Sequence, residues 1–230
     1  MNTSARKPSA LRRVVSDPVS RRRFLALTGG TTAAGALLAA CGNDDDEGDA
    51  TAATTEDDMA SQFGEGDLGI VNYALTLEYL EAAFYADVAK SGLFKGDDLA
   101  LIERIGQAEQ EHVDALTATA KQLGGQPAAE PKAEFPLDDA KSVLELAATV
   151  ENLGAAAYLG QAAAISDPEI LAAALSIHSV EARHAAALNQ LTGAGFNGSG
   201  ALVGTLPDGA FAKPMSMKEV LKQAQPFLAS

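Results

Sequence analysis

The sequence predicts an all-α protein whose core is an antiparallel four-helix bundle. Apolar side chains recur at alternating spacings of three and four residues through four long segments, the pattern of amphipathic helices. Hydrophobic residues make up 47% of the chain but aromatic residues only 5%, and a core rich in Ala and Leu favours helices over strands. Short connections join the segments in pairs, so the helices of each pair are expected to run antiparallel.

Capping residues and glycines set the expected limits of each helix. Asp97 and Asp167 are favoured N-cap residues, and Pro168 suits the first position of the fourth helix. We therefore expect the bundle over residues 67–192, with helices at 67–90, 97–124, 138–165 and 167–192. A Gly-rich loop and a short helix from Ser216 are expected over the remaining residues, 193–230.

The connection between the second and third helices is long. Residues 124–137 include three prolines, and in an extended conformation they would reach roughly 43 Å. Such a segment is long enough to cross the bundle lengthwise. A long crossover there would bring the middles of all four helices to one level.

Charge is distributed unevenly. The chain carries 17 Lys and Arg against 31 Asp and Glu. Seven of the bases and one acid lie in residues 1–40, so residues 41–230 have a net charge of −20. A body this acidic repels a phosphate backbone, and we expect no nucleic-acid partner. The single Cys excludes a disulfide scaffold, a Cys-rich zinc module and an iron–sulfur protein.

The first forty residues have the layout of an export signal. Residues 20–26 read Ser-Arg-Arg-Arg-Phe-Leu-Ala and resemble a twin-arginine motif, and residues 38–41 read Leu-Ala-Ala-Cys and resemble a lipobox. This predicts an extracytoplasmic lipoprotein, in the periplasm or cell envelope, anchored to a membrane through lipids on Cys41. The alternative is an ordinary signal cleavage with Cys41 incidental. The acidic residues 41–66 are expected to form a disordered tether.

Each predicted helix has a carboxylate in the middle of its core-facing surface, and two helices add a histidine. The residues are Glu78, Glu81, Glu109, His112, Glu151, Glu181 and His184. The two halves of the bundle repeat. Glu78 and Tyr85 recur as Glu151 and Tyr158 at an offset of 73, and the Glu-x-x-His at 109–112 recurs at 181–184 at an offset of 72.

Carboxylates inside a narrow bundle require compensation, because removing an unpaired carboxylate from water costs more than a domain's net stability. No Lys or Arg lies at the core-facing positions. Protonation and metal binding are therefore the two remaining ways to compensate the buried charges. Four glutamates sum to −4, which two divalent cations neutralise, and histidine adds neutral nitrogen donors. A metal-free network of largely protonated polar groups is the alternative.

These residues resemble the ligand set of the ferritin-like di-iron or di-manganese carboxylate superfamily, over about residues 67–192. Residues 77–82, Leu-Glu-Tyr-Leu-Glu-Ala, are also similar to exported bacterial ferritin-like proteins of the desiccation-related type. The resemblance implies two Fe or Mn ions. It also implies that Glu78 and Glu151 are the single-carboxylate ligands, and that the two Glu-x-x-His motifs provide the others.

Three residues leave alternatives open. Glu81 has Gly154 as its repeat partner, and is a fifth ligand, a primary ligand in place of Glu78, or a solvent-facing side chain. Tyr85 and Tyr158 lie one heptad beyond Glu78 and Glu151. The resemblance implies a catalytic, redox role for the two tyrosines, whereas the residues themselves suit ordinary core aromatics that bond a carboxylate.

The resemblance implies redox chemistry on dioxygen or peroxide, of ferroxidase, peroxidase or catalase type. The chain lacks a Cys₄ electron-transfer centre, so a reductive cycle requires an external electron donor. A homo-oligomer is compatible with the sequence. Two alternatives remain: a non-enzymatic stress- or desiccation-related envelope protein with a structural or absent metal, and a metal-free helical interaction module.

Overall fold

The computed structural model describes residues 62–193 and 212–228. The predicted export signal, Cys41, nearly all of the acidic tether and residues 194–211 of the Gly-rich loop lie outside the described residues. The described part contains helices α1 to α5 followed by a 3₁₀ turn: α1 Gly66–Lys90, α2 Gly96–Gln122, α3 Ala140–Gln161, α4 Pro168–Leu191, α5 Met217–Ala224 and the turn Gln225–Phe227.

The prediction of an all-α four-helix bundle is confirmed. Helix α1 packs mainly against α2, and α3 packs mainly against α4, so each hairpin forms one half of the bundle. The halves meet where α1 contacts α3. Among the described residues, no helix combines the length and apolar character needed to span a membrane.

The helix limits agree with the prediction to within two residues, except at the end of α3. Helix α2 begins at Gly96 with Lys95 as N-cap, so Asp97 lies in its first turn and interacts with the helix dipole instead of capping. Helix α3 ends at Gln161, four residues before the predicted end. The loop that follows is held by Asp67, whose carboxylate accepts the backbone N–H groups of residues 166 and 167 at 2.8 Å each.

The crossover runs along α1. Near its beginning, the Asn72 side chain donates to the Gln126 carbonyl (3.2 Å) and accepts from the Ala128 N–H (2.9 Å). Near its end, the ring of Phe135 packs on Phe84, with centroids 5.2 Å apart. Positions 72 and 84 are about 18 Å apart along a helix, so the connection travels lengthwise as expected.

The C-terminal helix lies on the side of the bundle. Ser216 and Glu219 form the capping box expected at its start. Its fully buried Val220 joins a cluster with Leu80 on α1 and Leu153 on α3. After the helix, the Glu134 N–H donates to the Phe227 carbonyl (3.0 Å), which ties the crossover to this segment. Helix α5 therefore covers the α1–α3 surface at the level of the central carboxylates.

Candidate metal centre

Five glutamates are buried in the middle of the bundle. Four of them have no solvent exposure, and Glu81 is 3% exposed; the four are Glu78, Glu109, Glu151 and Glu181. The 3.6-residue period places them on the inward faces of four different helices. The crossover brings the two hairpins into register, so the carboxylates form one cluster.

One group of potential ligands surrounds His112. Its Nδ1 lies 2.9 Å from Glu109 Oε2, 3.2 Å from Glu181 Oε1 and 3.3 Å from Glu78 Oε2. One ligand atom from each of these four residues lies within 4.8 Å of the others. The four residues come from α1, α2 and α4.

A second group surrounds His184. Its Nδ1 lies 2.9 Å from Glu109 Oε1 and 3.3 Å from Glu151 Oε2, and Glu181 completes the set within 4.8 Å. Glu109 and Glu181 therefore belong to both groups. Glu109 presents Oε2 to His112 and Oε1 to His184, which is the arrangement of a carboxylate that bridges two neighbouring cations.

Several atoms of the cluster are close together but not hydrogen-bonded. Both oxygens of Glu181, Oε1 of Glu109, Oε2 of Glu151 and Nδ1 of His184 are buried without a hydrogen-bond partner in the described structure. Buried polar atoms are otherwise almost always paired. His184 Nδ1 lies 2.9 Å from Glu109 Oε1, yet neither atom is satisfied by the other. Atoms that converge in this way fit ligands facing a common cation.

The electrostatics show how unfavourable the cluster is without a cation. Burial raises the pKa of Glu78 to about 7. Burial, followed by repulsion from neighbouring carboxylates, raises the pKa of Glu81 and Glu181 well above the usual range. Protons must therefore remain on part of the cluster at neutral pH, and cations binding there would displace them.

The surrounding carboxylates favour the charged form of the two histidines. Burial lowers the pKa of His112 and His184, but the carboxylates that surround them outweigh it and raise the pKa to about 12 and about 9. Burial also opposes ionisation of Glu109, yet the two histidines next to its carboxylate hold its pKa below the usual value. Glu109, which belongs to both groups, is thus the most readily ionised of the central glutamates.

The two tyrosines bond the terminal carboxylates. The Tyr85 hydroxyl donates to Glu151 Oε1 (2.5 Å), and the Tyr158 hydroxyl donates to Glu78 Oε1. Burial raises the pKa of both phenols well above 10, so they remain protonated donors. Each tyrosine reaches from one hairpin to a glutamate of the other, and the pseudo-twofold repeat of the sequence reappears in these bonds.

Glu81 points into the bundle, not to solvent. Its Oε1 occupies space beside Gly154, where an added Cβ would lie 2.8 Å from it and 3.1 Å from Glu181 Oε2. Its Oε2 is buried without a hydrogen-bond partner in the described structure. Glu81 belongs to neither four-residue group. It is a fifth buried carboxylate next to Glu181, which belongs to both groups.

Sequence reasoning missed Tyr73. Its hydroxyl is buried without a partner in the described part of the chain, and burial followed by the Glu81 charge raises its pKa well above 10. The signal was available, because residues 73, 77 and 81 are spaced i, i+4, i+8 on one helical face. His178 lies apart from the cluster, with its Nδ1 2.9 Å from the Ala155 carbonyl oxygen.

A family model described as a ferritin-like domain matches residues 66–194. The match begins at the first residue of α1 and ends three residues after α4, so it covers the bundle and every residue of the carboxylate–histidine cluster. No curated protein sequence matches the chain significantly.

Proposed function

The chain belongs to the ferritin-like domain family, and from this premise we propose that it holds two Fe or Mn ions and performs redox chemistry on dioxygen or peroxide. One observation carries the proposal. Two four-residue groups of carboxylates and histidines overlap, and they share Glu109 and Glu181. A single ion would use one group, whereas two groups with common carboxylates suit two ions a few ångströms apart.

The ligand assignment follows the two groups. Glu78 and His112 would serve one ion, Glu151 and His184 the other, with the shared glutamates bridging. Four carboxylates neutralise two divalent cations. Glu81 would add a fifth negative charge, which a shared proton or a more oxidised pair of ions would balance. This oxygen-rich set with one imidazole per ion suits iron and manganese.

Two bound divalent ions would supply two electrons and become trivalent; with two protons, these electrons would reduce dioxygen to hydrogen peroxide, or hydrogen peroxide to two waters. Neighbouring side chains hold the ligand carboxylates in place. Tyr85 and Tyr158 orient the terminal carboxylates through their hydroxyl donors. The central glutamates themselves are buried, away from bulk water. Re-reduction requires an external electron donor.

We also propose that the protein acts outside the cytoplasm as a membrane-anchored lipoprotein. The support is the sequence alone: the twin-arginine-like residues 20–26 and the lipobox-like position of Cys41. Export in the folded state would let iron or manganese load inside the cell, because copper and zinc would otherwise compete for the same ligands. That the protein forms a homo-oligomer, and that it is of the desiccation-related type, are also proposals.

Oxygen consumption on adding Fe²⁺ to the metal-depleted protein tests the redox proposal. We expect about one dioxygen consumed per two ions bound when peroxide is the product. Glu109→Ala should abolish the reaction, because it removes a ligand from both groups. Glu111→Ala is the matched control, since Glu111 is exposed on the same helix. Metal binding without turnover of dioxygen or peroxide would instead support a non-enzymatic envelope protein.

A further inference from the structure

An apolar cavity of ≈ 30 Å³ lies at one end of the bundle, between the start of α1, the ends of α2 and α3, and the start of α4. It is partly open to the outside through the half-buried residues at that end. Residues from all four helices line it, among them Val71, Ala74, Leu116, Ala157, Tyr158 and Ala174.

The cavity adjoins the metal centre through Tyr158. Its ring lines the cavity, and its hydroxyl donates to Glu78, a member of the group around His112. A molecule in the cavity is therefore separated from a terminal ligand by one side chain. Tyr158 is 7% exposed, whereas its repeat counterpart Tyr85 is 1% exposed.

The repeat shows why the cavity exists at this end. Ala157 corresponds to Phe84 at the offset of 73, and Ala173 and Ala174 correspond to Leu101 and Ile102 at the offset of 72. Phe84 and Ile102 are almost fully buried at the opposite end. The Phe84 ring packs edge-on against Tyr85, with centroids 5.2 Å apart. Alanines thus leave open, beside Tyr158, the space that larger side chains fill beside Tyr85.

Size and polarity limit what the cavity can hold. A water occupies about 10–15 Å³ of such a cavity and needs two to four polar partners. The Tyr158 and Thr119 hydroxyls already donate elsewhere, to Glu78 and to the Ala115 carbonyl. Among the described lining residues, the buried polar atom without a partner is the Tyr73 hydroxyl, and the other polar side chain, Gln161, is only half-buried, so the lining offers a water few bonds. The volume suits one small apolar diatomic molecule.

We propose that this cavity binds dioxygen and delivers it to the Glu78–His112 side of the metal centre. The inference rests on the proposed function and narrows its choice of oxidant. Dioxygen enters by this route, and the more polar peroxide does not. Because Ala157 and Ala174 form the cavity, replacing them with the residues of the other half should close it.

Xenon binding tests the cavity independently of metal and activity. Xenon occupies apolar cavities that remain dry. We expect one xenon beside Tyr158 in crystals of the full chain under xenon pressure, and none in Ala174→Ile. Ala172→Ile is the matched control, because Ala172 is exposed on the same helix. Ala174→Val, a smaller change, provides a second closing variant where Ala174→Ile does not fold.

Oxidation rates then test whether the cavity delivers dioxygen to the metal centre. In the Fe²⁺-loaded protein, we expect Ala174→Ile to slow oxidation by dioxygen about tenfold relative to Ala172→Ile, with anaerobic oxidation by added hydrogen peroxide unchanged. Thermal unfolding and metal content should match those of the control.

Two results would overturn the inference. One is the absence of xenon beside Tyr158 in the wild-type chain. The other is an active protein in which Ala174→Ile and Ala172→Ile react with dioxygen equally fast. Failure of the proposed function would look different, since the wild-type protein would then bind no metal pair or consume no dioxygen at all, whatever xenon does.

Discussion

Gly154 leaves the space that Glu81 fills: a Cβ added to Gly154 would lie 2.8 Å from Glu81 Oε1. The two residues occupy equivalent positions in the two halves, three residues after Glu78 and Glu151 respectively, and only the first half carries the carboxylate. The pseudo-twofold cluster is therefore asymmetric, and a small residue facing the extra carboxylate makes this possible.

A double-mutant cycle tests this relationship. Gly154→Ala should stabilise the Glu81→Ala protein by up to about 1 kcal/mol, because alanine is the better helix former. With Glu81 present, that gain should disappear or reverse, because the new methyl group displaces the carboxylate. The coupling free energy, measured by urea unfolding of metal-free protein, should be about 1 kcal/mol. Additive effects would show that the two side chains do not share this space.

The stability of the metal-free protein should fall as pH rises from 4.5 to 7. The folded state holds a proton on Glu78 up to about pH 7, whereas the unfolded chain releases it near 4.5, so deprotonation favours unfolding across this window. The raised pKa values of His112 and His184 continue the decrease above pH 6.5. Urea unfolding in the presence of a chelator measures the trend.

The matched variant for this pH dependence is Glu78→Gln, which removes the titrating group but keeps its shape. It should make the decrease between pH 4.5 and 7 shallower without abolishing it, because Glu81 and Glu181 also have raised pKa values. Excess Mn²⁺ should also reverse the trend in the wild-type protein, because metal binding competes with protons. Rising stability of the metal-free protein across this window would contradict the assigned pKa directions.

The tyrosines are expected to tune metal affinity. Tyr158→Phe removes the donor to Glu78, and Tyr85→Phe removes the donor to Glu151. Each change should weaken Mn²⁺ binding about 10- to 100-fold at one of two positions. Competition with a fluorescent chelator measures both steps, and Tyr79→Phe, a half-buried position on α1, is the control. Affinities equal to those of the control would leave the tyrosines without this positioning role.

Asp67 links the start of α1 to the loop between α3 and α4, almost one hundred residues away. Asp67→Ala leaves two backbone N–H groups without their carboxylate acceptor. We expect a loss of about 1–2 kcal/mol in the free energy of unfolding. Asp97→Ala, in the exposed first turn of α2, should lower the free energy of unfolding by less. Equal losses for the two variants would mean that the Asp67 bonds contribute little.

The bundle was predictable because local patterns determine it. Apolar spacing, the N-cap at Asp167 and the repeat of Glu-x-x-His each depend on residues close in sequence. The early end of α3 was not predicted; the loop that follows it bonds Asp67, which is distant in sequence. The direction of Glu81 was not predictable either. Whether a side chain at the edge of a helical face points inward depends on the residue opposite it. For Glu81 that residue is Gly154, which is on another helix.

Metal content is the most direct test of the central claim. Protein purified from its native location should contain about two Fe or Mn ions per chain, and Glu109→Ala/His184→Ala should lose both while Glu111→Ala keeps them. This follows from the two overlapping ligand groups around His112 and His184. One ion per chain, zinc in place of iron or manganese, or sub-stoichiometric metal in all three proteins would contradict the di-metal centre.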